Sequence, residues 1–346
     1  MSGIRRVATN KYLLRLLIAA GLLFILVHYV DLSELGRLGR PRPLWVAAVL
    51  GSTATMVFLS SRKWESIAAD LLGRGQYPRG YFAYYVALGM ALGQVVSPDV
   101  AVVATRSSAL RVSHGIPLAQ GALTAVIDRL LDYVVLGVLV IPSVAMLSGA
   151  ISIRAGLGLS ALILLGLIIG WTYRGAFLLK RLVTSYQLLL GLLQRVPLFG
   201  NRFRQIPPLQ REISVESARQ LMWLSLLRFG VITFRSYCVA LALGLNISWA
   251  LLVLCFPIAQ LLALPITPGS LGTFELGWYA ILRIAEVSGE DAAAFVVGYR
   301  LYAALSVIAA ALIAWAAYML ARGTTVGSGN QRNANDRDHI APKRGV

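Results

Sequence analysis

The sequence predicts an all-α polytopic membrane protein built from two inverted repeats. Of its 346 residues, 58% are hydrophobic and 14% are charged, whereas a soluble domain carries about 25% charged residues. The apolar residues are gathered in segments close to the roughly 20 residues that a helix needs to cross a bilayer. Prolines and glycines interrupt two of these segments. We therefore predict about six spanning helices and two re-entrant helical hairpins, each of which enters and leaves the membrane on one side.

The positive charges predict contact with lipid and not with nucleic acid. The net charge is +17, and the arginines stand at the ends of apolar segments and in one connecting loop. That distribution is typical of cytoplasmic flanks and of contact with anionic lipid headgroups. We expect an integral protein of a bacterial-type cytoplasmic (inner) membrane, with anionic lipids as its partners and both termini in the cytoplasm.

The sequence predicts no catalytic residue, no metal site and no cofactor. Cys238 and Cys255 lie in apolar runs, where cysteine behaves as a small hydrophobic residue. The three histidines are scattered and show no ligand spacing. Neither a glycine-rich phosphate loop nor a Ser/His/Asp set is present. We therefore expect that the protein is not an enzyme.

Hydropathy and flanking charge place the first two spanning helices at 12–30 and 44–61. Each approaches the length of about 20 residues that a crossing requires. The basic residues 1–11 are expected to stay in the cytoplasm. The second helix ends at Ser61-Arg62-Lys63-Trp64, which we interpret as a cationic end with an aromatic anchor at the cytoplasmic surface.

The next apolar segment, 81–113, is broken at Pro98, which cannot continue a helix. If 81–97 crosses the membrane fully, the basic connector that follows lies outside the cell. If the segment is a hairpin, that connector stays inside. The positive-inside bias favours the hairpin, although a full crossing by both broken segments stays an open alternative.

With the hairpin, helix 117–147 runs outward and helix 151–173 returns. A basic amphipathic connector, 174–215, then lies on the inner membrane surface. Helix 216–244 runs outward again. Helix 290–322 closes a single membrane domain that spans residues 1–322. The polar tail, 323–346, has the composition of a disordered cytoplasmic segment.

A second broken segment, 248–286, precedes that last helix. Its helix breaks are Pro265, Pro268, Gly269 and Gly272. Proline lacks the N–H that a helix interior needs, and glycine allows the backbone to turn. In hydrocarbon, the freed backbone groups must be satisfied by protein or by a water-filled cavity. The sequence therefore predicts a second re-entrant hairpin that lines a cavity.

The two halves of the chain show the same order of elements. Repeat one covers about 44–147 and repeat two about 216–322, and each has a helix, a broken hairpin and a long helix with a central arginine. From the proline of the break to that arginine is 31 residues for Arg129 and 32 residues for Arg300. Transporters built from inverted repeats bind substrate near the midplane, where the broken helices meet.

Ionisable residues inside the predicted membrane region form the candidate site. An unpaired arginine near the bilayer centre costs at least ~2.5–3.5 kcal/mol, so Arg129 and Arg300 need partners. These charges are either internal ion pairs that tie helices together or a polar path for a charged headgroup. Arginine suits the second role because its planar fork binds phosphate at two points. The predicted path consists of Arg106, Asp128, Arg129, Asp132, Glu275 and Arg300.

Two further arginines, Arg228 and Arg235, lie seven residues apart on helix 216–244 and share one face of it. The sequence leaves two interpretations open. Either these side chains line a cavity, or they extend along apolar surface to reach the membrane interface.

Most of the residues singled out above also form a sequence pattern that resembles that of a known family. They are Pro98, Arg106, Asp128, Arg129, Asp132, Pro265, Pro268, Gly269, Gly272, Glu275 and Arg300, with Ser270 in place of the second glycine of the usual motif. This pattern resembles the flippase-like membrane domain of the lysylphosphatidylglycerol synthases, over roughly residues 10–322.

The resemblance implies a protein that handles lipids. We expect a stand-alone member, because the 24 residues after residue 322 are too few for the aminoacyl-transfer domain of a full-length synthase. The expected function is movement of an anionic phospholipid or a polyprenyl-type lipid between leaflets. Two alternatives stay open: a non-catalytic accessory subunit that partners an enzyme of lipid or cell-envelope glycoconjugate synthesis, and an ion-coupled transporter of small solutes. The lipid and the oligomeric state do not follow from the sequence.

Overall fold

The structure is a computed structural model that describes residues 41–73, 77–195, 213–262 and 272–338. These ranges contain helices and no strand, as the sequence predicts. The helices are α1 (Pro43–Leu72), α2 (Tyr81–Leu92), α3 (Pro98–His114), α4 (Leu118–Leu147), α5 (Ile153–Arg195), α6 (Val215–Ala242), α7 (Trp249–Leu262), α8 (Thr273–Ile284) and α9 (Gly289–Asp338).

Among the described residues, five helices are long and apolar enough to cross a membrane. They are α1, α4, α6, the Ile153–Leu188 part of α5 and the Gly289–Ala321 part of α9. The prediction of an all-α polytopic membrane protein is therefore confirmed. The predicted first span, 12–30, lies outside the described residues, and so do the helix breaks predicted at Pro265, Pro268 and Gly269.

Shorter helices form the two broken segments. α2 has 12 residues, fewer than the roughly 20 that a crossing requires, and it packs against α3 as the second arm of a hairpin does. Pro98 begins α3, at a position where the missing N–H of proline costs no hydrogen bond. A methyl group on Gly93 would lie 3.1 Å from the Pro98 Cα atom, so this tight return favours a glycine.

The second broken segment has the same plan. α7 and α8 have 14 and 12 residues and pack against each other. Gly272 caps α8 with a φ of +81°, a left-handed conformation that glycine adopts without strain. The predicted pairing of hairpins into inverted repeats stays a prediction.

Two helices run further than the sequence predicts. α5 continues through residue 173 to Arg195, so the first part of the predicted connector belongs to a spanning helix. No proline interrupts 174–195, and the helix continues because Leu179 and Val183 pack in the core against other helices. α9 likewise continues to Asp338, beyond the predicted end at 322, and no proline stops it in the range that was predicted to be disordered.

The core lies where the two halves of the chain interlock. α1 packs along α6, and α9 packs on α1 and α2. A buried hydrogen bond of 2.9 Å from the Thr53 hydroxyl to the Ser306 hydroxyl joins α1 to α9. The broken segments and α4 surround this centre, and a cavity remains between them.

Candidate functional site

A large cavity in the described part of the chain lies between the two broken segments. It has about 1320 Å³ of empty space, counting its mouth, and every described helix except α5 contributes to its wall. Much of the wall is apolar, with Val102, Leu136, Ile232, Phe256 and Phe274 among the lining residues. The cavity can therefore hold both an apolar group and a polar group.

The charged part of the wall is mainly positive. Four arginines and two aspartates line the cavity, namely Arg129, Arg228, Arg235, Arg300, Asp99 and Asp132. Arg129 is the twelfth residue of α4 and Arg300 is the twelfth residue of α9. At 1.5 Å per residue, each lies about 17 Å along its helix, close to the middle of a hydrocarbon core of about 30 Å.

Next to this wall, and sharing four of its residues, lies a group of charges that we call the aspartate cluster. It consists of Asp99, Asp128, Asp132, Lys63, Arg106, Arg129 and Arg228. The Lys63 ammonium is fully buried and lies 2.7 Å from Asp128 Oδ1 and 2.8 Å from Asp132 Oδ1. Arg106 donates to Asp128 Oδ2 at 2.7 Å. One lysine of α1 thus holds two carboxylates of α4, one of which also binds α3.

The cavity side of the aspartate cluster is formed by Asp99, Asp132 and two arginines. Asp132 accepts a hydrogen bond from Arg228 of α6 and lies 4.0 Å from the Arg129 guanidinium. Arg129 Nε lies 3.4 Å from Asp99 Oδ1. The Tyr133 hydroxyl donates to Asp99 Oδ2 at 2.5 Å. These contacts join α3, α4 and α6 at the wall of the cavity.

A second group of polar residues, which we call the Arg235 site, consists of Arg235, Glu275, Tyr299 and Arg300. Arg300 Nε lies 3.5 Å from Glu275 Oε1, and the same guanidinium donates to the Gln94 carbonyl oxygen at 3.3 Å. Glu275 Oε2 also accepts from the Gly272 N–H at 2.7 Å, which caps α8. Arg300 therefore contacts both broken segments.

The Arg235 side chain contacts the phenol group of Tyr299. Its guanidinium donates to the Tyr299 hydroxyl at 2.7 Å and lies 5.3 Å from the centre of the same ring. The side chain is buried, with 6% of the residue exposed. Within the described ranges, no group of three or more His, Cys, Asp and Glu residues is arranged to hold a metal ion.

A comparison with protein families matches residues 12–311 to the family described as the lysylphosphatidylglycerol synthase TM region. The chain belongs to this family. The match spans both broken segments and both polar groups, and the predicted resemblance is confirmed. A comparison with curated proteins found no match.

Not all of the predicted site residues of this lysylphosphatidylglycerol synthase TM domain line the large cavity. Arg129, Asp132 and Arg300 line the large cavity with Pro98. Arg106 and Asp128 lie behind it and line a smaller cavity that shares Arg129 and Arg228 with the large one. Glu275 is not part of the wall and reaches the cavity through Arg300.

The interpretation of Lys63 and Trp64 as interface residues was wrong. Both are fully buried, and the Trp64 indole donates to the Thr124 hydroxyl at 3.1 Å. α1 does not end there, because Ile67 and Leu71 continue a buried stripe for two more turns. Lys63, Ile67 and Leu71 share a face at intervals of four residues, and this spacing is the sequence signal that could have identified Lys63.

The open question about Arg228 and Arg235 is answered by the position of α6. Both side chains line the cavity, and neither extends along the outside of the helix bundle. The sequence placed them on one face, but that face could be assigned to the cavity only once the packing of α6 against α1 and α4 was known.

Proposed function

We propose that this protein moves lipids with an anionic headgroup, either phospholipids or polyprenyl-type lipids, from one leaflet to the other. The observation that carries the proposal is the cavity wall, which four arginines and two aspartates line, with Arg129 and Arg300 each about 17 Å along its helix. The aspartate cluster and the Arg235 site together contain six cations and four carboxylates, a surplus of two positive charges. That surplus complements an anionic headgroup.

The apolar part of the wall supports the same proposal. A headgroup inside the cavity remains attached to hydrocarbon chains, which need apolar surface beside the polar site. Phe256, Phe274 and Ile232 provide such surface next to the arginines. The membership of the chain in the lysylphosphatidylglycerol synthase TM family is also consistent with lipid handling. We propose that the protein acts as a transporter and not as an enzyme.

The positive-inside distribution supports a place in a cytoplasmic membrane with both termini inside. For an anionic lipid drawn from the inner leaflet, the exposed basic residues Arg174, Lys180 and Arg181 at this end of α5 would then attract negatively charged headgroups. An enzyme of envelope synthesis as a stable partner stays an alternative to translocation.

The test is leaflet exchange of headgroup-labelled lipids in vesicles that contain only the purified protein. We expect exchange of anionic lipids that falls at least about tenfold in Arg300→Gln, because removing a charge-assisted hydrogen bond costs about 1.5–3 kcal/mol. Arg219→Gln is the matched control, since Arg219 lies on α6 but is exposed and outside the cavity wall.

Two outcomes would contradict translocation. One is an unchanged exchange rate in folded Arg129→Gln and Arg300→Gln variants. The other is no exchange across a broad panel of anionic lipids, which would favour the accessory-subunit function and would make a stably co-purifying enzyme the next thing to find.

A further inference from the structure

Arg235 differs from the other buried or cavity-lining cations of the two polar groups. Lys63, Arg106, Arg129, Arg228 and Arg300 each lie within 4.0 Å of a carboxylate. Arg235 has no carboxylate at that distance among the described residues, and its only polar partner there is the neutral Tyr299 hydroxyl. A buried charge without a counter-charge is costly, and an anionic ligand is the direct way to supply one.

The donors around Arg235 are arranged for such a ligand. The Arg235 Nε atom is buried and has no hydrogen-bond partner among the residues that the structure describes. Tyr299 accepts from the Arg235 guanidinium, so its own O–H remains able to donate. Both residues line the cavity, together with Arg300, which follows Tyr299 in α9. An anion here meets one guanidinium fixed over an aromatic ring and one phenolic donor.

The position of the two side chains is fixed before any ligand arrives. Tyr299 lies in the apolar core with Phe274, Trp278 and Phe295 around its ring. The ring in turn holds the Arg235 guanidinium, both by the hydrogen bond and by the cation–π contact at 5.3 Å. Little side-chain entropy is then lost on binding, which favours affinity.

We propose that Arg235 and Tyr299 form the binding site for the phosphate ester of a lipid in this cavity. The inference rests on the proposed function and names the part of the cavity that recognises the headgroup. Arginine binds phosphate through a planar fork of N–H donors, and a tyrosine hydroxyl adds a further donor. The apolar wall at Ile232, Phe256 and Phe274 receives the adjoining part of the lipid chain.

The test measures lipid binding to the detergent-purified full-length protein by native mass spectrometry. Each phosphate-bearing lipid is compared with its phosphate-free counterpart: phosphatidylglycerol with diacylglycerol, and polyprenyl monophosphate with polyprenol. Inorganic phosphate is the third probe. We expect the phosphate-bearing member of at least one lipid pair to bind about tenfold or more tightly than its counterpart.

Four variants locate the binding site. Arg235→Gln should weaken binding of the phosphate lipid about ten- to hundredfold, and Arg235→Lys should weaken it less because the charge remains. Tyr299→Phe keeps the ring and should weaken binding about two- to tenfold through loss of the hydroxyl donor. Arg219→Gln, on the same helix but exposed, should bind as the wild type does.

The outcomes separate the possible ligands and the two proposals. A preference confined to phosphatidylglycerol or to polyprenyl monophosphate identifies the lipid source, and binding of inorganic phosphate alone overturns the assignment to a lipid. Equal affinity in folded Arg235→Gln, Tyr299→Phe and wild-type protein also overturns it, even if leaflet exchange is observed. Binding that depends on Arg235 without leaflet exchange would keep this site and contradict translocation.

Discussion

The aspartate cluster and the Arg235 site lie in the same cavity region, yet their charges are balanced differently. In the cluster, Asp128 pairs with two cations and Asp132 with three. At the Arg235 site, a single carboxylate, Glu275, pairs with Arg300 and leaves Arg235 to a phenol. We propose from this difference that the two groups differ in their main role: the aspartate cluster chiefly holds helices together, and the Arg235 site chiefly binds an anion.

The largest expected effect is at the centre of the aspartate cluster. Lys63→Met removes a fully buried cation from Asp128 and Asp132. Breaking a buried ion pair by removing one partner costs about 3–5 kcal/mol, so thermal unfolding in detergent should occur at a clearly lower temperature. Arg62→Met is the control, since the Arg62 side chain is 54% exposed and its pair with Glu65 is a surface pair, worth at most about 1 kcal/mol.

Equal unfolding temperatures for Lys63→Met and Arg62→Met would show that the cluster does not stabilise the fold. The distinction between a structural group and a binding group would then be lost, and Lys63 would have to be considered part of the transport path.

The second prediction compares one arginine from each group. Arg106→Gln removes a partner from buried Asp128 at 2.7 Å, so it should lower stability by about 2 kcal/mol. Arg235→Gln leaves no carboxylate without its partner and should change stability by about 1 kcal/mol or less. Leaflet exchange should show the larger loss for Arg235→Gln. Thermal unfolding and exchange measured on the same two preparations test both statements.

A reversal of that order, with the larger stability loss in Arg235→Gln, would mean that Arg235 ties α6 to α9 through Tyr299 and serves the fold. The two groups would then be structural in the same sense.

The fold could be predicted from the sequence because its signals are local. Helix α4 was predicted at 117–147 and is Leu118–Leu147, and α6 was predicted at 216–244 and is Val215–Ala242. Hydropathy acts over one helix length, and Pro98 begins α3 at the first helical position, which proline favours in any surroundings. The end of α5 was missed because the basic residues after 173 were read as the end of a span, whereas the burial of Leu179 depends on other helices.

The partners within the site could not be predicted in the same way. Lys63 and Asp132 are 69 residues apart, and Arg235 and Tyr299 are 64 residues apart. Sequence spacing relates residues on one helix, such as Arg129 and Asp132, but a contact between helices depends on how they pack. The contact between Lys63 and Asp132 in the aspartate cluster and the contact between Arg235 and Tyr299 in the Arg235 site both join different helices.

The third prediction concerns Glu275, which has two functions at the edge of the Arg235 site. Its Oε2 caps α8 through the Gly272 N–H at 2.7 Å, and its Oε1 faces Arg300 at 3.5 Å. Glu275→Gln keeps an acceptor for the cap and removes the ion pair, whereas Glu275→Ala removes both. Loss of such a cap costs about 1 kcal/mol, so hydrogen exchange at the Gly272 amide should be about fivefold faster in Glu275→Ala than in Glu275→Gln.

Equal exchange rates at that amide in the two variants would show that the backbone of α8 does not depend on the cap. Glu275 would then act only through its ion pair with Arg300. In that respect the Arg235 site would resemble the aspartate cluster, where the carboxylates act through ion pairs.

The smallest effect is expected at the rim of the aspartate cluster, where Tyr133 donates to Asp99 at 2.5 Å. The Asp99 side chain is 31% exposed and also pairs with Arg129, and it lies in the first turn of α3, where the helix dipole stabilises a carboxylate. Tyr133→Phe should therefore lower stability by only about 0.5–1 kcal/mol, and Tyr173→Phe, at an 83% exposed position, should lower it by nothing measurable. A loss of stability in Tyr133→Phe as large as that in Lys63→Met would show that the contacts at the rim stabilise the fold as much as those at the centre. The whole aspartate cluster would then be structural, with no part available to bind a headgroup in the cavity.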